Sequence, residues 1–213
     1  ANCAEPPANR NASKWITSCR AQKAGLTTLT TFRCCVPPAT VARATVTTLI
    51  SVTRVDNQIK PLKDGPEHAF ADWPVQAVPD VAAGVYAIWN HAQLIYVGMS
   101  GRGATERTLD EKRSEGKRFG LFNRLSSHAS GRRSGDQFCV YVADFLVLPQ
   151  LSKQQVNAIS ERELSFDNVI RDYIHEHLTF RFMETSDGKE ALRIEAELKA
   201  GALGQKPLLN PDS

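Results

Sequence analysis

Two short runs rich in β-branched and aromatic residues, Gly84-Val85-Tyr86-Ala87-Ile88-Trp89 and Leu94-Ile95-Tyr96-Val97-Gly98, stand only four residues apart. Strand-forming side chains on either side of Asn90-His91-Ala92-Gln93 predict a β-hairpin. Successive strand residues face opposite ways, so the connecting loop decides where the two tyrosines go. A loop of odd length centred on His91 sets Tyr86 directly opposite Tyr96 on one face. An even loop puts the rings on opposite faces.

Downstream, Leu121, Phe122 and Leu125 form the apolar stripe of a helix predicted over Phe119 to His128 and closed by Gly131. The apolar run Gln137 to Leu148, ended by Pro149, predicts a strand. A helix is predicted over Phe166 to His177, a strand over Leu178 to Met183, and a last helix from Gly188 to Ala200, stopped by Gly201 or Gly204. Upstream, Pro61, Pro66, Pro74 and Pro79 interrupt any long regular element, so residues 56–83 are expected to be a linker, with order beginning near Val81. Residues 1–55 carry short clusters such as Thr27-Thr28-Leu29-Thr30-Thr31 without periodicity, and are expected to be a poorly ordered extension. The first Met is Met99, which leads to the expectation that part of this region lies upstream of the natural start. The folded unit is then an α+β domain over residues 84–213.

A chain of 213 residues can bury one full core. It has no apolar run near the roughly 20 residues that span a bilayer, so a soluble, cytoplasmic protein without a membrane partner is expected. Four of its five cysteines fall in the first 35 residues and no CxxC pair exists, which argues against a disulfide framework and a zinc site. The net charge of +3 hides an uneven distribution. Between Gly101 and Arg133 there are nine Lys/Arg against four acids, so one internal segment is locally basic.

The last predicted helix poses a chemical question. Ala191, Ile194 and Leu198 define its apolar face, and Glu195 lies within that face while Glu197 points away. A carboxylate facing a core needs a basic partner, a proton or a metal ion, because burying it alone costs several kcal/mol, on the order of a full desolvation penalty. On the earlier helix, Arg124 and His128 are four residues apart and share a face. That pairing fits a solvated helix surface. It also fits a cleft that handles phosphate, with a fixed cation for the anion and an imidazole to manage protons.

Taken in order, Gly84-Val85-Tyr86, Tyr96-Val97-Gly98, Arg124-x-x-x-His128, Glu195 in a helix and Asn210-Pro211 resemble the signature of GIY-YIG nucleases. The resemblance covers about the last 130 residues. It implies a small antiparallel sheet flanked by helices, to which this chain adds the segment Gly101 to Arg118 and an inserted strand-helix segment from Gln137.

The resemblance further implies a divalent-metal-dependent endonuclease acting on DNA, with Mg²⁺ or Mn²⁺ held chiefly by Glu195 and a homodimer as a possible assembly. Arg124 would bind the scissile phosphate. Tyr86 would be the general base or position the water, with Tyr96 beside it and His128 taking the tyrosine proton. Gly84, Gly98 and Asn210 would give structural support. Arg102 and Arg107 are rival arginines at closer spacing, and Arg124 is preferred because His128 accompanies it. The basic segment, with Arg102, Arg107, Lys112, Arg113, Lys117, Arg118, Arg132 and Arg133, is the expected DNA contact. The alternative is a non-catalytic DNA-binding module with the same fold, and a further rival is an unrelated α+β domain in which Glu195 and Arg124 form a buried ion pair.

Overall fold

The computed structural model describes residues 57–211, so the expected extension over residues 1–55 lies outside it. It shows an α+β fold built on a small sheet. The elements are α1 (Lys60–Asp64), β1 (His68–Ala69), β2 (Val81–Asn90), β3 (Gln93–Ser100), α2 (Glu106–Ser114), β4 (Phe119–Gly120) and α3 (Leu121–Ala129). There follow α4 (Gln137–Val142), α5 (Lys153–Ser160), α6 (Phe166–His177), β5 (Leu178–Thr185) and α7 (Gly188–Lys199). The main sheet runs β1-β5-β2-β3 with every pair antiparallel, and β4 adds a short parallel pair to the start of β2. No helix among the described residues is long and apolar enough to cross a membrane.

The predicted hairpin forms, with a register that neither loop parity anticipated. His91 and Ala92 make a two-residue connection between Asn90 and Gln93, with His91 at φ +51°. An even loop alone would separate the tyrosines. Pairing, however, passes from Trp89 opposite Leu94 to Ile88 opposite Tyr96, which leaves Ile95 as an extra residue on β3. This β-bulge shifts the alternation by one, so Ile95 and Tyr96 both pack on the face that carries Tyr86 and Ile88. Tyr86 therefore pairs with Gly98 and lies diagonal to Tyr96, rather than directly opposite it.

Both sheet faces are covered. One carries Tyr86, Ile88, Ile95 and Phe180 against α3, α4 and α6, with Leu121, Leu125, Phe138, Ile170 and Ile174 fully buried between them. The other carries Val85, Ala87, Leu94 and Val97 against α1 and α7, through Ile59, Leu62, Ala191, Ile194 and Leu198. Each large apolar side chain taken from water contributes about 1.5–3 kcal/mol, so both layers are needed to hold so short a sheet flat-side down.

Two expectations are corrected. Residues 56–83 are not a linker over their described part: α1 forms, and Ile59, Leu62 and Phe70 are wholly buried in the two cores. The prolines sit where they do no harm, Pro61 in the first turn of α1 and Pro74 and Pro79 outside regular elements. The predicted strand over Gln137 to Leu148 is helical, as α4 continued by a π-turn at Ala143–Val147 and a 3₁₀ turn at Leu148–Gln150. Phe138, Cys139, Val142, Ala143 and Val147 are buried, a spacing of four that suits a helix. Its aromatic and β-branched composition pointed the other way, and Asp136, whose carboxylate accepts the Phe138 N–H, fixes the helical start. The inserted segment thus holds helices and no strand, with α5 and α6 following. The added segment Gly101 to Arg118 contains α2, which is capped by Thr105 and packs Leu109 with Ala104 against Val81 and Ala83.

The C-terminal tail protects the edge of β3. Leu208 and Leu209 donate backbone hydrogen bonds to the carbonyls of Leu94 and Ile95. Asn210 then continues the ladder with its side chain, accepting from the Val97 N–H at 2.8 Å and donating to the Val97 carbonyl at 2.9 Å. Covering an edge this way removes the open backbone groups on which another strand would pair.

Candidate active site

The helices that carry Arg124 and Glu195 lie on opposite faces of the sheet, α3 on one and α7 on the other. They meet at the end of β3. There a cleft of about 380 Å³ is lined by Tyr86, Tyr96, Arg102, Arg124, His128 and Glu195, together with Gly98, Ser100, Asp136 and Gln137. All five residues singled out for chemistry from the sequence reach this one cleft, because an edge strand can be approached from both faces.

Tyr86 sits at its base, 2% exposed, in the middle of β2. Its ring has room only because its partner on β3 is Gly98: a Cβ there would come within 2.3 Å of the Tyr86 Oη. Gly84 is constrained similarly, since a Cβ would meet the Met183 carbonyl oxygen at 2.3 Å and Leu121 at 2.7 Å, blocking the docking of α3 on β2. The Tyr86 and Tyr96 rings lie 6.5 Å apart, and the Phe138 ring packs 4.5 Å from the imidazole of His128.

The Tyr86 hydroxyl lies 2.8 Å from His128 Nε2, and His128 Nδ1 lies 2.6 Å from Asp136 Oδ2. Both members of the second pair are buried, His128 at 1% and Asp136 at 4% exposure. Burial pushes the Asp136 carboxyl up, but its hydrogen bonds with His128 and the Phe138 N–H outweigh it and hold the group below the usual carboxylate range. Burial likewise lowers His128, against the pull of Asp136. The consistent state is an ionised Asp136 accepting from Nδ1–H of a neutral imidazole, whose Nε2 is left to accept the Tyr86 proton. Tyr86 is raised well above the ordinary phenol value, first by burial and then by the neighbouring Tyr96, while the Arg124 cation opposes the shift. Tyr96 is pushed up to about 12, again chiefly by burial.

Asp136 was missed in the sequence. It follows the loop Gly131 to Gly135 and precedes a segment read as a strand, and the signal that could have found it is an Asx N-cap before a helix, eight residues after His128. Ser100 was missed too. It is 5% exposed at the end of β3, its Oγ has no hydrogen-bond partner among the described residues, and it lines the cleft, so a ligand there has an unsatisfied hydroxyl to meet.

Glu195 is partly buried, with 12% of its side chain exposed, and its ion pair is with Lys199 one turn along α7 at 3.1 Å. The buried Glu195–Arg124 pair considered from the sequence does not form. Among the described residues no cluster of three His, Cys, Asp or Glu exists, and Asp136 is committed to His128 and Phe138. This donor set does not fit zinc. It fits a hard cation such as Mg²⁺, which binds through one carboxylate and keeps waters in the rest of its shell.

The expected DNA-contacting cations are mostly occupied. Arg107 pairs with Glu111, Lys112 and Lys117 with Glu115, Arg113 with Asp110, Arg118 with Asp80, and Arg133 with Asp167. Arg118 also lies over the Phe122 ring and Arg133 over that of Phe166. Arg102 and Arg132 have no carboxylate partner among the described residues, and of the eight only Arg102 lines the cleft. Of the rival arginines, Arg107 is thus turned to solvent on α2, while Arg102 joins Arg124 at the cleft. Comparison with protein-family models, curated proteins and solved structures gives no match to this chain.

Proposed function

We propose that this protein is a divalent-cation-dependent endonuclease of the GIY-YIG type, hydrolysing phosphodiester bonds in DNA at the cleft beside β3. The observation that carries the reading is the hydrogen-bonded chain from Tyr86 through His128 to Asp136, beside a cleft that also holds Arg124, without a carboxylate partner among the described residues, and the partly buried Glu195. An apolar core has no use for such a chain, and aromatic packing of Tyr86 on Tyr96 would not require one.

In this reading Arg124 binds the scissile phosphate, where a planar guanidinium can donate twice to its oxygens and offset charge as it develops. Tyr86 takes a proton from the attacking water while its own proton passes to His128 Nε2, so the phenol never has to exist as a free phenolate in a buried site. Asp136 stabilises the imidazolium so formed. The water oxygen bonds to phosphorus, the bond to the leaving oxygen breaks, and that oxygen takes its proton from solvent. Tyr96 narrows the cleft beside Tyr86, and Ser100 offers a hydroxyl to the phosphate. A cation on Glu195 supplies Lewis-acid polarisation of the phosphate when bound.

The test is nicking of supercoiled plasmid by the purified protein in Mg²⁺ or Mn²⁺. Conversion to open circles that stops on chelation supports the assignment; an inert protein, or one that cuts equally well in EDTA, contradicts it.

A further inference from the structure

The cleft continues past Glu195. A second groove of about 470 Å³ runs between α7 and the C-terminal tail, and Arg102 and Glu195 line both spaces. On the helix side its wall includes Leu192, Ala196 and Lys199; on the tail side it includes Lys206 and Pro207. The tail wall is fixed, because Asn210 is tied to Val97 by two hydrogen bonds and the backbone of Leu208 and Leu209 to β3. The backbone at Arg102 is fixed as well. The first turn of α7 packs so closely on it that a Cβ at Gly188 would come within 2.0 Å of the Gly101 carbonyl oxygen, and the Gly188 N–H is bonded to Ala104.

Charge pairing decides what this groove can hold. Arg102 and Lys206 are exposed and have no carboxylate partner among the described residues, unlike the basic residues of α2. Lys199 adds a third cation, held on its inner side by Glu195. Apolar side chains lie between these charges in the lining, among them Leu192, exposed by 43%. Separated cations over an apolar strip suit a chain of phosphates joined by sugars, the former paired with Arg and Lys and the latter lying on Leu192 and Pro207.

We propose that the groove between α7 and the C-terminal tail binds the stretch of DNA strand that flanks the scissile phosphate, with Arg102 at its junction with the cleft and Lys206 farther along. This rests on the nuclease reading and adds the path of the substrate to it. The DNA-binding surface shifts accordingly, from the α2 segment to the edge of β3.

The experiment uses a fluorescein-labelled 20-base-pair duplex and the full chain, with binding followed by anisotropy in EDTA from 50 to 300 mM KCl and cleavage of the same duplex followed in Mg²⁺. Lys206→Glu is expected to weaken binding about tenfold at the lowest salt and to flatten the log–log salt slope by about one. Lys153→Glu on α5 carries the same charge change outside both cavities, and is expected to stay within about twofold of wild type, as befits a residue remote from the phosphates. Equal losses in the two variants, or none in Lys206→Glu while wild type binds and cuts, overturn the groove alone. A wild type that neither binds nor cuts the duplex overturns the groove and the nuclease reading together.

Discussion

His128 Nδ1 and Asp136 Oδ2 lie 2.6 Å apart, closed off from solvent and separated by a single loop that turns at Gly131 and Gly135. The Asp136 carboxylate does two jobs. One oxygen caps α4 and the other fixes the His128 tautomer, which coordinates the placement of a helix with the proton-accepting nitrogen that faces Tyr86.

Asp136→Asn keeps the size of the side chain and a cap for Phe138 but offers an N–H to His128 Nδ1. The imidazole proton then moves to Nε2, where it opposes transfer from Tyr86. We expect DNA cleavage to fall by about 100-fold or more, as for loss of a positioned proton acceptor. Long-range ¹H–¹⁵N correlation of the imidazole checks the cause directly: Nδ1–H in wild type and Nε2–H in the variant.

Gly98→Ala places a methyl group within 2.3 Å of the Tyr86 Oη. The phenol must leave its hydrogen bond to His128, or the two strands must part. The expected cost is about 1–3 kcal/mol in chemical denaturation, typical of overpacking, with cleavage reduced by a larger factor than stability explains. Wild-type activity in a folded Gly98→Ala protein would remove Tyr86 from the chemistry.

Stability should depend on acid in two steps. His128 and Asp136 both titrate lower in the folded protein than their ordinary values of 6.5 and 3.8. Between folded and ordinary values the unfolded chain binds the extra proton, so folding is favoured above these values and weakens as pH falls through each window. The midpoint of thermal unfolding is therefore expected to drop as pH goes below 6.5 and again below 3.8. His128→Gln should abolish the first step and weaken the second, because the His128 hydrogen bond is the chief interaction that holds Asp136 low, as read by calorimetry across a pH series.

Much of the frame was legible in the residues. The strand propensity of Gly84 to Trp89 and Leu94 to Gly98 gave the hairpin, and the 3.6-residue stripes of α3 and α7 gave helices that end within a residue or two of their predicted limits. Four things were not legible, each for a physical reason. The register depends on the Ile95 bulge, an extra residue with no mark in an otherwise ordinary strand. The segment from Gln137 has helical spacing but strand-like composition, and short apolar runs do not separate the two states on their own. Asp136 carries the mark of an N-cap only once the segment after it is recognised as a helix, and its bond to His128 is a tertiary contact. The basic residues of α2 were read as free charge because ion pairing at three and four residues, as between Arg107 and Glu111, becomes visible only once that helix is recognised.

Arg124 and Glu195, carried on opposite faces of the sheet, are expected to act on one phosphate at the edge of β3. Single-turnover cleavage of a defined DNA duplex in Mg²⁺ by wild type, Arg124→Ala and Glu195→Ala tests it most directly. Each variant is expected to lose about 1,000-fold or more in rate, in line with removal of a transition-state donor, while circular dichroism shows the fold intact. Cleavage by a folded Glu195→Ala or Arg124→Ala protein at the wild-type rate would contradict it.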